Sequence, residues 1–155
     1  MNALVIVLVV VVVLGVIALI AFNPLLKKRE DAAIAVMRER FGDNERLVVE
    51  PRATAMGTEP DEAGGVRGMS VLAVNTDQLL AVTWSGLHEF SVARSAITSV
   101  ESSADDPEAV QKATIIVNFT SADGPAKASF RLKDPVPWLT ELGYDWGPEG
   151  PPADD

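Results

Sequence analysis

The sequence predicts a mainly-β protein carried on a membrane anchor: one N-terminal transmembrane helix, then about seven antiparallel strands closed by a short C-terminal helix. Three observations carry this expectation. ALVIVLVVVVVLGVIALIAF, Ala3 to Phe22, runs for twenty residues without a charge, and as a helix rising about 1.5 Å per residue it covers the ~30 Å of a bilayer's hydrocarbon. Beyond Gly42 the apolar residues change from a three-to-four spacing to alternation, the period of a half-buried strand. DPVPWLTELG then reads as a turn into one amphipathic helix stopped by glycine.

The first element, residues 1–23, is read as a retained anchor. Its valines favour strand in water, but a lone segment in lipid satisfies its backbone only as a helix. A cleavable signal peptide needs a basic start, a shorter apolar core and a small-residue cleavage site. Here Met1 and Asn2 precede the run and Asn23-Pro24-Leu25-Leu26 follow it. Lys27, Lys28 and Arg29 mark the membrane interface. With Arg38 and Arg40 they place the C-terminal flank in the cytoplasm and the N-terminus outside, a single pass of the cell membrane. Gly15 has no small partner at a spacing of four, so no dimerising stripe is evident.

Residues 24–42 are read as a juxtamembrane amphipathic helix, started by Asn23-Pro24 and stopped at Gly42, with Leu26, Ala33, Ile34, Met37 and Phe41 on one face. Three roles stay open for it: lying on the membrane, packing on the domain, or connecting the two. The domain itself, residues 43–146, holds strands at Leu47–Thr54, Val66–Val74, Gln78–Trp84, Leu87–Ala93, Ala96–Glu101, Lys112–Thr120 and Ala126–Lys133. Two loops separate them, GTEPDEAGG (57–65) and SSADDPEAVQ (102–111), and Asn75-Thr76-Asp77, Ser85-Gly86 and Asp123-Gly124 are the tight turns. Asp134 caps a helix from Pro135 to Leu142, and the Pro/Asp-rich tail, 147–155, is expected to be disordered.

From Glu30 onward the chain carries 22 acidic against 10 basic residues, a net of −12, which excludes a phosphate-binding surface of the kind nucleic acid needs. It has no cysteine, and so no disulfide, thiolate metal site or cysteine nucleophile. His88 is the one histidine and reads as a packed or rim residue on the face of Phe90 and Val92. Asp105, Asp106 and Glu108 lack the spacing of a calcium loop. Asn118-Phe119-Thr120 matches a glycosylation sequon but falls inside a strand on the cytoplasmic side. No glycine pattern suits a phosphate loop, and Ser70 and Ser85 lie in no nucleophile pattern. The reading is therefore no enzyme, no cofactor, no metal and no small-molecule substrate. Trp84, Phe90, Ile97, Val100, Phe119, Phe130 and Trp138 are expected to form the barrel core and the helix plug over it.

The stretch GVRGMSVLAVNTDQLLAVTW is similar to the G-x-G-x-L-x-x-T-x-x-x-L-x-F run of bacterial pleckstrin-homology-like (PH-like) and GRAM-like domains. SVARSAITSVES resembles the segment that follows in them, through Val92, Ile97, Val100 and Glu101, with Ala93-Arg94 in place of that segment's proline and leucine. DPVPWLTELG resembles their closing helix, so the resemblance covers about residues 46 to 143. It implies a barrel of four then three strands with a helix at one open end. Lipid-binding members carry basic residues on the first two strands and the loop between them, where this chain has Glu59, Asp61 and Glu62 with Arg52 and Arg67. The expectation is thus a cytoplasmic PH-like adaptor, held by residues 3–22 in the bilayer and engaging a protein partner. Recognition of lipid headgroups, aided by Lys27, Lys28 and Arg29, is the alternative.

Overall fold

Alternating apolar residues from Val48 onward form strands and the two stretches of helical spacing form helices in the computed structural model, which describes residues 24–41, 47–60, 65–104 and 113–151. The predicted anchor, 1–23, lies outside the described residues, as do Gly42, Asp61, Glu62, Asp105, Asp106, Glu108 and the tail from residue 152. Among the described residues no helix is long and apolar enough to cross a membrane.

Helix α1 covers residues 24–41. The strands are β1 (Val48–Glu59), β2 (Arg67–Val74), β3 (Gln78–Thr83), β4 (Glu89–Ala93), β5 (Ile97–Ser102), β6 (Thr114–Ser121) and β7 (Gly124–Arg131), and α2 is Val136–Leu142. They form one antiparallel sheet in the order β4-β3-β2-β1-β7-β6-β5. β1, first in the chain, is thus central: its first part pairs with β2 and its last part, from Thr54, with β7.

Two bulges let one strand serve both neighbours. Against β2 the register steps from Glu50↔Leu72 to Ala53↔Ser70, which accommodates Pro51, a residue with no N–H to offer a regular ladder. Against β7 it steps from Ala55↔Phe130 to Gly57↔Ser129. Gly57 sits there at φ 118°, a conformation that calls for glycine, whereas the Arg67 side chain, whose Nε a Cβ would meet at 2.8 Å, is flexible and can bend away. The predicted 57–65 loop accordingly begins later. Thr58 pairs with Ala128 and is buried, because partnership with β7 overrides the loop-like composition of Gly-Thr-Glu-Pro.

Laid flat, seven strands about 4.8 Å apart would hold their edges roughly 29 Å from each other. Yet Ala93 ends β4 and Ile97 begins β5, joined by the 3-10 turn Arg94–Ala96, a link that reaches at most about 14 Å. The sheet therefore rolls up, and Phe90 of β4 meets Phe119 of β6 at a ring separation of 5.5 Å and Phe130 of β7 at 6.0 Å. The roll does not close: β4 and β5 remain its two edges, with no ladder between them. In place of the expected barrel of seven strands with a helix at one open end, there is a rolled sheet that is not closed.

Helix α2 fills the inside of the roll. Asp134 Oδ1 accepts the Val136 N–H at 3.3 Å from just before the helix, whose N-cap is Pro135. At the other end Gly143 takes φ 84°, its N–H donating to Thr140 O while the Tyr144 N–H donates to Leu139 O, the paired bonds of a Schellman stop. Val136, Trp138, Leu139 and Leu142 join the inner faces of all seven strands in one cluster. The expected disordered tail opens with a 3-10 turn, Gly147–Glu149, and just before it Trp146 stacks edge-on against Tyr144 at 4.8 Å.

A second apolar cluster lies on the opposite face. Ala33 and Met37 of α1 are buried against Val71, Ala73, Leu80 and Val82 of β2 and β3, with Ile34, Val36, Phe41, Leu47, Val49 and Trp84 around them. Of the three roles open to α1, packing on the domain is the one found. Ion pairs fix it near both ends, Glu30 to Arg52 and Arg40 to Glu89, each at 3.1 Å.

Candidate functional site

Lys27, Lys28 and Arg29 are all exposed near the start of α1, beside Leu25 and Leu26, which are 57% and 37% exposed. Leu26, expected on the packed stripe, is exposed and stands outside the outer cluster that Ala33, Ile34, Met37 and Phe41 join. The β3–β4 turn faces this part of the helix. Trp84 and Ser85 of the turn and Leu25, Lys28, Arg29 and Ala32 of the helix line a shared groove of about 430 Å³.

The turn is held from within. The Gly86 N–H donates to Thr83 O at 2.7 Å, Thr83 Oγ1 lies 2.8 Å from Ser85 Oγ, and the His88 N–H donates to Thr83 Oγ1 at 3.2 Å. His88, expected to begin β4 as a packed or rim residue on the face of Phe90, is an exposed turn residue ahead of the strand. Its backbone serves Thr83, which removes it from the alternation of β4. Trp84, expected in the barrel core, packs on the outer cluster with α1, and its indole N–H donates to the Pro51 carbonyl at 3.0 Å. Phe90, Phe119, Phe130 and Trp138 are buried in the inner cluster, with Ile97 and Val100 half-buried against it.

A second groove, of about 580 Å³, runs beside the start of β5 and is lined by Glu59, Pro60, Thr98, Asn118, Phe119, Pro125, Ala126 and Lys127. It mixes charge with apolar floor. Lys127 pairs with Glu59 at 2.9 Å, and the Asn118 amide donates to Ser99 Oγ at 3.0 Å and Glu101 Oε1 at 2.6 Å. Thr98, Ser99 and Glu101 face solvent along the edge strand itself. Among the described residues no cluster of three or more His, Asp or Glu is arranged to hold a metal ion.

Sequence reasoning missed Arg94. Its Nη1 donates to Glu141 Oε1 at 2.7 Å and to Asn75 O at 3.2 Å, and its Nη2 donates to Glu141 O at 2.5 Å. One side chain so joins the β4–β5 corner, the β2–β3 turn and the end of α2. Leu87 was missed as well: it is 79% exposed in the β3–β4 turn rather than part of β4, and an apolar residue directly after Ser-Gly was the available signal. The chain matches no family model, no curated protein and no solved structure.

Proposed function

We propose that this is a single-pass membrane protein whose cytoplasmic, PH-like domain is a binding module that engages a protein partner at the membrane and performs no chemistry of its own. The observation that carries this reading is the edge of β5, which among the described residues pairs with no strand but β6, and whose solvent-facing Thr98, Ser99 and Glu101 run beside a groove of mixed character. An unpaired edge next to such a groove suits an added strand, the backbone supplying affinity and the groove supplying choice of side chain. The strand order and the α2 plug accord with the PH-like resemblance, and the twenty-residue apolar run supplies the tether.

A photocrosslinker placed at Thr98 in native membranes tests the edge. A discrete adduct is expected there, with none from the same group at Thr76 in the β2–β3 turn; equal labelling at both sites would defeat the reading. Exposed Lys27, Lys28 and Arg29 support the second reading, recognition of lipid headgroups. Residues 24–155 floating with anionic vesicles but not neutral ones, and released by salt, would favour that second reading over the first.

A further inference from the structure

We infer that the tip of the β3–β4 turn is a second point of membrane contact, with Leu87 seated in the bilayer interface alongside the anchor; this rests on the anchored reading above. Leu87 is 79% exposed, more than Leu25, Leu26, Met56 or Met69, the other exposed large apolar residues described. The hydrogen bonds among Thr83, Ser85, Gly86 and His88 fix the turn that presents it.

Position then identifies the occupant. Phe22 ends the apolar run and Leu25 follows three residues later on α1, so the edge of the hydrocarbon lies within roughly 10 Å of Leu25 even if the chain between them is extended. Trp84 and Ser85 share a groove with Leu25, which brings the turn to the same depth. The headgroup zone on each side of a bilayer is about 5–8 Å thick, so Leu25 and the turn beside it lie in that zone or within a few ångströms of it. The contact is rigid on the protein side, because Met37 is fully buried and both ion pairs hold α1 to the sheet.

Charge decides the kind of contact. Lys27, Lys28 and Arg29 favour this end, whereas Asp31 is exposed on the same helix, and Glu59, paired with Lys127, lies at the end of the sheet where β1 leaves. Arg67 opens β2 at the same end, opposite Met56 of β1. With both signs of charge at this end, the seat is set by the apolar side chain at the tip and does not depend on anionic lipid. A protein partner at this tip would have to displace the bilayer surface that the anchor keeps beside it.

The absence of native cysteine makes the test clean. Leu87→Cys and, at the far end of the sheet, Asp77→Cys are each labelled with an environment-sensitive fluorophore in the full chain, reconstituted in phosphatidylcholine vesicles containing headgroup-region spin-labelled lipid. The label at 87 should shift to the blue and lose most of its emission, in high salt as in low, while the label at 77 keeps its emission. Equal quenching at both positions overturns the inference, as does shielding at 87 that appears in native membranes but not in protein-free lipid, which would indicate a protein contact. Carbonate extraction separates the two levels. A chain that stays in the membrane with an unquenched label at 87 overturns the seat alone, and a chain that is extracted overturns the anchored reading beneath it.

Discussion

Arg94 donates to Asn75 O, Glu141 Oε1 and Glu141 O, so a single guanidinium ties together segments that lie 19 and 47 residues away from it in sequence. Glu141 and Arg94 are both partly exposed, so water takes over some of these bonds when the side chain is removed. Arg94→Ala should therefore cost about 1–3 kcal/mol, read as a lower urea midpoint at unchanged slope. Arg94→Lys should recover part of it, because an ammonium lacks the fork that reaches two acceptors on one residue. An unaltered midpoint in the alanine variant would show that the clamp contributes nothing. The sequence shows Arg94 only as a departure from a pattern that has leucine there, and no periodicity links it to a partner so far along the chain. Asn75 is the opposite case. Its side chain accepts the N–H groups of Asp77 and Gln78 at 2.9 and 2.8 Å, a local bond that the Asn-Thr-Asp turn announces directly.

At the scale of elements, α1 illustrates how a correct helix can be read without its use being known. Spacing identifies Ala33, Ile34, Met37 and Phe41 as one face, but the face that receives them belongs to β2 and β3, some 40 residues on. The complementary signal is in those strands. Val71 to Val74 and Leu79 to Thr83 are buried without a break, the mark of strands covered on both faces, whereas Ile115, Val117 and Phe119 in β6 alternate with half-buried neighbours. Truncating Met37 to alanine should lower stability by about 2–4 kcal/mol, and Leu26→Ala should stay within about 0.5 kcal/mol. Thermal or urea melts of residues 24–155 distinguish the pair; equal effects would mean that α1 does not pack as described. Edges of elements were less legible than their existence. β1 runs to Glu59 because β7 reaches it there, a nonlocal cause that local composition cannot reveal.

At the scale of the molecule, orientation is the reading most open to direct trial. Protease added to intact cells should leave the domain whole, and the same protease should cut it once the membrane is opened; digestion from outside would show that Lys27, Lys28 and Arg29 misdirect the positive-inside rule. The roll of the sheet was only partly legible, since seven alternating segments and one apolar helix announce a plugged β domain while the unpaired seam between β4 and β5 depends on three-dimensional closure. The place of β1 has a consequence for biosynthesis. Because this earliest strand is completed only by β7, a nascent chain leaving the ribosome must keep the Thr54–Glu59 side of β1 unmatched until about residue 131 has emerged. Release from translation, not the first hairpins, is then the moment at which the product becomes safe from joining edges with its neighbours.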